Sequence, residues 1–405
     1  MLDGMLLYRL AIMLLVGKSA FISFLLSACL CVTVLFGCVA SDAQSASSRI
    51  EFSKVQTNLG LLESDDGELV LALNTEVTMT TLRSDVRDQV TAEAQEQVFS
   101  LHKLLDGYRY YRDDAGEVVV NVAYINDHFG EGPVKVDRAL FDLIEESILM
   151  AELTEGYFNP TVGKLVDVYE GRLAGTAQVQ DAPDAQDVEE ARNTVVPYDK
   201  LRSCILLDEA KSTVELAPCE GSEYALNVGA IGKGFALSRL AFSQDESYLV
   251  TAGASSIRGH VGTLEDDVTW NVATHEPDGT DLLFAFRLDE GSVSTSGDDE
   301  SFYLLEDGTR VHHILNPHTG YSENHYRNVV LVGQDAGVLD ALSTALFSVG
   351  DLDAVKEMIE RVEDHAGFDI SYCLVVQEGD GYRLEMDEAF EGRLLPEYTS
   401  DLVLR

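Results

Sequence analysis

Basic side chains are scarce: the 405-residue chain carries 28 Lys and Arg against 70 Asp and Glu, a formal net charge of −42. Affinity for a phosphate backbone comes from Lys and Arg displacing counterions, so this shortage excludes a nucleic-acid partner. Low-complexity tracts are also missing. Hydrophobic residues make up 46% of the chain and its 32 glycines punctuate ordinary apolar runs, which excludes a disordered acidic tail. There is no internal repeat, no Cys-x-x-Cys and no zinc-ligand spacing. What remains is a globular protein, long enough for one large domain or two of common size, with a core that needs no staples.

Charge is absent between Lys18 and Asp42, where "SAFISFLLSACLCVTVLFGCVAS" forms one apolar stretch long enough to span a bilayer. It runs through Leu35-Phe36-Gly37-Cys38 into the small, polar "VASDAQSASS". A short basic start, an apolar middle and this ending resemble a bacterial lipoprotein signal, in which the cysteine becomes the lipidated first residue; an ordinary membrane anchor and a cleaved secretory signal are the alternatives. Each places the rest of the chain outside the cytoplasm. The expected organisation is a signal or anchor over 1–38 with lipidation at Cys38, a polar tether over 39–50, and one domain over 51–405, held at the extracytoplasmic face of a bacterial cell membrane. Met13 is an alternative start of translation.

Three of the six cysteines lie in that signal, leaving Cys204, Cys219 and Cys373. Cys204 and Cys219 flank two short strand-like runs around a polar turn, so they either pair across a hairpin in an oxidising compartment or stay as two buried thiols. Upstream, alternation in "GELVLALNTEVTM" predicts strands, and Ala94, Val98, Leu101 and Leu104 fall at helical spacing before Gly107. "EVVVNVAYIN" reads as a strand. A second amphipathic helix starts near Asp137 and carries Leu140, Leu143, Ile144 and Ile148 on one face. The polar segment from Gly171 to Pro197 reads as a surface excursion with a short helix after Pro183, a weak candidate for a domain boundary. Further strands follow in "SYLVTAGASSIRGHVG", "VTWNVAT" and "NVVLVG". The fold class is α+β, with mixed, segregated sheets and packed helices.

Three segments carry candidate chemistry. In "LNVGAIGKGFALSRLAF", Gly229, Gly232 and Gly234 surround Lys233 at an expected strand-to-helix turn. Such glycines suit either an anion held by free amides or tight helix packing. The pattern is neither a P-loop nor Gly-x-Gly-x-x-Gly. In "VHHILNPHTGY", His312, His313 and His318 cluster beside Asn316 and Gly320 in a turn, and histidine suits proton transfer near neutral pH. Adjacent histidines on an extended segment point to opposite faces, which argues against a His-His zinc pair. In "DAGVLDALSTALF", Asp335 is a natural N-cap, while Asp340 and Thr344 share a helical face with Ser343 beside them. Three oxygen-bearing side chains on one turn suit a hard cation such as Mg2+; a solvent-facing polar stripe is the bland alternative.

Taken in order, "EGYFNPTVGKLVDVY", "NVGAIGKGFA", "SVSTSGDDESFY", "HHILNPHTGY" and "LDALSTALFSVG" resemble the ApbE-like FAD:protein FMN transferases, from about Met79 to Gly350. The resemblance implies an ApbE-like α+β architecture with FAD in a cleft. It implies transfer of the FMN half of FAD to a Thr or Ser hydroxyl of an exported acceptor flavoprotein or redox-complex subunit, with release of AMP. By resemblance, Mg2+ is held by Asp340, Ser343, Thr344 and the carbonyl of Ala230. His313 is the favoured base, with His312 as the alternative. FAD contacts carry over to Met79, Tyr157, Phe158, Asn159, Asn227, Lys233 and Ile314, with Tyr111 or Tyr110 stacking on an aromatic ring of the substrate. A core-lining turn is the alternative reading of "GYFNPTVG". The chain departs from the family pattern at Asn227 and Asn316, where Asp is common, and at Thr251 and Ala254, which replace the usual Asn and second Gly of "NAGG". Two other functions stay open: an Mg2+-dependent FAD pyrophosphatase, and a lipoprotein that only binds flavin.

FAD is itself an anion, which a chain of charge −42 should repel. The site therefore needs local positive potential from Lys233, a helix N-terminus and a divalent cation, and FAD is expected to bind poorly without Mg2+.

Overall fold

The computed structural model describes residues 52–404 apart from 64–68, 84–86, 174–178, 244, 264–267, 278 and 280. The expected signal with Cys38 and the tether to residue 50 lie outside the described residues. Among the described residues no helix is long and apolar enough to cross a membrane.

One nine-stranded sheet organises the chain, and its strands follow each other in space in the order in which they occur in sequence. They are β1 (Phe52–Asn58), β2 (Val77–Arg83), β3 (Tyr248–Ala252), β4 (Ser256–His260), β5 (Gly291–Gly297), β6 (Asn328–Gly333), β7 (Ser371–Glu378), β8 (Gly381–Met386) and β9 (Val403–Leu404). Neighbours pair antiparallel except β8 with β9, which run parallel. The meander is interrupted by three insertions that build the site. Between β2 and β3 come the helices α1 (Arg87–Leu105), α2 (Val122–Asp127), α3 (Arg138–Leu153), α4 (Gly163–Tyr169), α5 (Ala185–Arg192) and α6 (Gly229–Arg239). Between β5 and β6 lies the histidine loop. Between β6 and β7 come α7 (Ala336–Phe347) and α8 (Leu352–Ala366).

Strand alternation divides the core into two layers. Leu249, Ile257, Val293, Val330 and Cys373 point from the sheet into one layer, filled by Trp270, Phe284 and Phe286 of the hairpin Trp270–His275/Leu282–Leu288 and by Phe390. The opposite face packs against α1, α6 and α7, and α3 packs on these helices in the same main core. The serines of β5 fall on this helical side, opposite Val293. That placement puts polar groups under α7.

Several sequence expectations hold. Ala94, Val98 and Leu101 are buried on α1, and Leu140, Leu143, Ile144 and Ile148 on α3, whose N-cap Asp137 accepts from Ala139 N–H. The short helix after Pro183 is α5, capped by Asp184. It packs with α4 and Leu315 in a small satellite core. Cys204 and Cys219 form a disulfide, with Cα atoms 5.3 Å apart, at the base of the hairpin Ile205–Asp208/Thr213–Leu216. Cys373 is free and buried.

One segment is corrected. "EVVVNVAYIN" is not a strand: only Val118 makes an isolated bridge, to Arg112, and the second half is α2. Asn121 decides this by accepting a hydrogen bond from Tyr124 N–H, a side-chain cap that starts a helix, while Val122, Ala123 and Ile125 bury one face of it. Apolar β-branched residues gave the wrong period because the capping residue interrupts them.

Candidate active site

Asp340, in the second turn of α7, is buried at 5% exposure, which removes the solvent-facing stripe as a reading. Its carboxylate accepts from Ser294 Oγ at 2.7 Å, from Ser256 Oγ at 2.9 and 3.0 Å, and from the main-chain N–H of Gly234 at 2.6 Å. Ser343 Oγ lies 3.0 Å from Ser294 Oγ and 2.9 Å from Ser296 Oγ. Burial raises the Asp340 pKa to about 6, against the lowering influence of nearby Lys233 and of these donors. No cationic side chain lies within ion-pair distance of it among the described residues.

Ser256, Ser294 and Ser296 were not singled out from sequence. Their signal was the i, i+2 spacing of polar residues in β5, which places Ser294 and Ser296 on one face of the strand.

The expected glycine turn is instead the body of a helix. Gly229, Gly232, Lys233 and Gly234 all lie inside α6, and a loop rather than a strand precedes it. The amides of its glycines are committed: Gly229 N–H to Asn227 Oδ1, Gly232 N–H to Val228 O, which also accepts from Ile231 N–H, and Gly234 N–H to Asp340. The glycines therefore serve packing, not an amide cradle for phosphate. A Cβ at Gly234 would lie 2.0 Å from the carbonyl oxygen of Ala336 and 2.7 Å from Asp340 Cγ, so only glycine lets α6 cross α7 this closely. An uninterrupted helix would give the Gly234 N–H to the carbonyl of Ala230, and the bond to Asp340 competes for that donor.

Lys233 projects from the same turn, half-buried and without a hydrogen bond or ion pair among the described residues. It influences both Asp340 and His313, lowering the pKa of each, so the three share one electrostatic neighbourhood.

The histidine pair divides by strand alternation. His312 ends the strand Arg310–His312 and is fully buried, edge-on to Phe347 with ring centroids 5.2 Å apart. Its Nε2 donates to Glu323 O at 2.8 Å and its Nδ1 accepts from Ile314 N–H at 3.3 Å. Burial holds its pKa down at about 3. With both nitrogens engaged and the ring buried, His312 is placed as a structural residue would be, which favours His313 as the base. His313 is exposed, and its main-chain N–H is tied to Ser301 O at 3.0 Å. Its imidazole reaches solvent yet is flanked by enough protein to push its pKa below the usual value, a desolvation that Glu300 opposes and Lys233 assists. It is therefore neutral and ready to accept a proton at neutral pH. His318 pairs edge-to-face with Tyr157, at 4.7 Å.

The remaining expected FAD contacts separate into accessible and buried sets. Tyr157, Asn227 and Lys233 are half-buried and accessible. Met79, at 1% exposure, and Phe158, at 2%, are core side chains, and Ile314 is buried at 5%. Asn159 bonds Val196 O, Thr161 N–H and Thr161 Oγ1, so for Phe158 and Asn159 the core-lining turn describes the side chains better than a ligand contact.

Tyr111 is also misplaced as a stacking ring: it is 1% exposed, its hydroxyl donates to Asp106 at 2.7 Å, and that hydroxyl lies 2.9 Å from His102 Nε2. Tyr110 bonds Asp127. The exposed aromatic ring is Tyr108, whose hydroxyl accepts from Asn227 Nδ2 at 3.2 Å. Sequence spacing could not select among three tyrosines in a turn.

The donor set suits a hard divalent cation: the carboxylate of Asp340, hydroxyls of Ser343 and half-buried Thr344, and the carbonyl of Ala230 are all oxygens. A buried carboxylate with no paired cation is costly, and a cation here would offset that cost. Among the described residues no three His, Cys, Asp or Glu side chains gather, so such a cation would have one protein carboxylate.

Comparison with known proteins gives the family. The ApbE family profile matches residues 73–368. A FAD:protein FMN transferase of Klebsiella pneumoniae is 31% identical over 233 residues, covering 56% of this chain and 67% of the relative. One of Treponema pallidum is 32% identical over 257 residues, covering 59% and 66%. A crystal structure of the ApbE protein from Thermotoga maritima superposes with a TM-score of 0.65 at 25% identity, over 84% of this chain and 99% of that one. The flavin transferase ApbE of Vibrio cholerae gives 0.63 at 19% identity, over 85% and 100%, a likeness of fold. With the family profile matched over residues 73–368, well over half of its length, the chain belongs to the ApbE family.

Proposed function

We propose that this protein is an Mg2+-dependent FAD:protein FMN transferase, anchored by a lipidated Cys38 at the extracytoplasmic face of a bacterial membrane, that flavinylates a Thr or Ser of an exported flavoprotein. The names of the Klebsiella and Treponema relatives support the reaction. The observation that carries the reading is Lys233, a cation with no ion-pair partner among the described residues of a chain of charge −42, within electrostatic reach of buried Asp340 and exposed His313. An unpaired cation in such a chain is suited to an anionic substrate.

The residues divide the work. Lys233 would attract the pyrophosphate, and Tyr108, Asn227 and Tyr157 offer an aromatic and polar surface for the rest of FAD. Asp340, Ser343, Thr344 and the Ala230 carbonyl would hold Mg2+, which when bound supplies neutralisation of phosphate charge. His313 takes the proton of the acceptor hydroxyl. The freed oxygen forms a bond to the FMN-side phosphorus while the bond from that phosphorus to the bridging oxygen breaks. AMP leaves with the bridging oxygen, and the proton passes from His313 to solvent.

The exposure of His313 also favours a second reading, in which water replaces the acceptor hydroxyl and FMN is released free. Incubating purified protein with FAD, Mg2+ and a candidate exported flavoprotein domain, then comparing flavin on protein with free FMN, separates the two. Labelled acceptor supports transfer; equal AMP and free FMN with no label supports hydrolysis and rejects it.

A further inference from the structure

We propose that Glu323 is a positioning residue for His313, fastening the histidine loop through its main chain and its carboxylate at once, and that it is matched to an amide, not an acid, at position 316. Its carbonyl accepts from His312 Nε2 at 2.8 Å. Its Oε1 accepts from Asn316 Nδ2 at 3.1 Å and from Thr319 Oγ1 at 3.2 Å, and its Oε2 lies 3.7 Å from His325 Nε2. One residue thus ties down positions on both sides of the Pro317 turn.

The consequence for His313 follows from alternation along an extended segment. His312 is held inward by Glu323 O and by Phe347, so its neighbour is turned outward toward the Lys233 neighbourhood. The orientation of Asn316 is doubly fixed, since its Oδ1 accepts from His318 N–H at 2.9 Å while its Nδ2 faces Glu323. An aspartate there would set two carboxylate oxygens 3.1 Å apart. Like charges at that distance are strongly unfavourable. Asn316 and Glu323 therefore form a matched pair, in which an amide suits position 316 and an acid does not. The catalytic consequence rests on His313 acting as the base.

Full-length protein with 15N-labelled histidine provides two readouts: imidazole correlation spectra, and AMP release from FAD in Mg2+ with an exported acceptor flavoprotein domain present. Glu323→Gln keeps an acceptor for Asn316 and Thr319, and is expected to leave the His312 and His313 signals in place and kcat within about twofold. Glu323→Ala retains the main-chain carbonyl but is expected to shift and broaden His313 and lower kcat by about tenfold or more, with the KM for FAD within about threefold. Asn316→Asp is expected to be similarly impaired, and adding Glu323→Gln to restore it to within about threefold of wild type. Unchanged His313 signals in Glu323→Ala, or N316D no worse than N316D/E323Q, would overturn the proposal. Absence of AMP from the wild type would instead refute the proposed function, while the spectra still decide the role of Glu323.

Discussion

The main-chain N–H of Gly234 on α6 donates to Oδ2 of Asp340 on α7 at 2.6 Å, across a helix crossing that leaves no room for a Cβ. The contact couples fold to site, because the close approach of the helices is also what delivers Lys233 toward the carboxylate. Gly234→Ala is expected to cost about 1–3 kcal/mol or more of stability through overpacking, read as a lower urea midpoint.

Burial raises the Asp340 pKa from 3.8 to about 6, and the sign of the effect differs for stability and for metal. In metal-free protein this carboxyl stabilises the fold fully below its unfolded value, and that contribution fades as pH rises through about 6. Cation binding needs the ionised form, so Mg2+ affinity should weaken as pH falls through the same region. Calorimetric Mg2+ titration on both sides of that pH checks this. Asp340→Asn should abolish both the affinity and its pH dependence.

Tyr108 and Tyr111 should respond oppositely. Tyr108→Ala removes an exposed ring beside Asn227 and is expected to weaken FAD binding by about tenfold with little change in melting temperature. Tyr111→Phe leaves buried Asp106 short of a donor and is expected to cost about 1–3 kcal/mol of stability with FAD affinity preserved. Flavin fluorescence titration and thermal melts on both variants read these outcomes.

The two adjacent histidines separate in the same way. His313→Ala should lower flavin transfer by about 100-fold or more while sparing FAD binding. In the wild type, the acidic limb of the rate profile should lie below the ordinary histidine value, because desolvation by the flanking protein, assisted by Lys233, lowers the pKa of His313. His312→Ala leaves Glu323 O and Ile314 N–H without partners and should reduce thermal stability first.

The Cys204–Cys219 bridge closes a sequence separation of 15 residues. In the chain-entropy account a loop of that size contributes about 3 kcal/mol, so the double Cys→Ser variant should melt lower than the oxidised protein. Reductant should lower the melting temperature of the wild type and leave that of the variant unchanged.

The sequence disclosed those parts of the site whose chemistry is local. Asp335 as an N-cap, the helical spacing of Asp340 and Thr344, and the opposed directions of His312 and His313 all follow from backbone period alone. It disclosed less where a residue's environment comes from distant chain. Ser256 and Ser294 meet Asp340 only because β4 and β5 pair beneath α7. Tyr108 is selected over Tyr111 by Asn227, 119 positions away, and by the burial of Asp106. The glycines around Lys233 looked like a turn because their partner, α7, is remote in sequence, and α2 looked like a strand because one asparagine caps it.

The central claim is tested most directly by the intact mass of an exported acceptor domain after incubation with FAD, Mg2+ and this protein. The account predicts a gain of one FMN moiety on a Thr or Ser with one AMP released per label, and neither product with Asp340→Ala. An acceptor of unchanged mass beside free FMN and AMP, or full labelling by the Asp340→Ala variant, would contradict it.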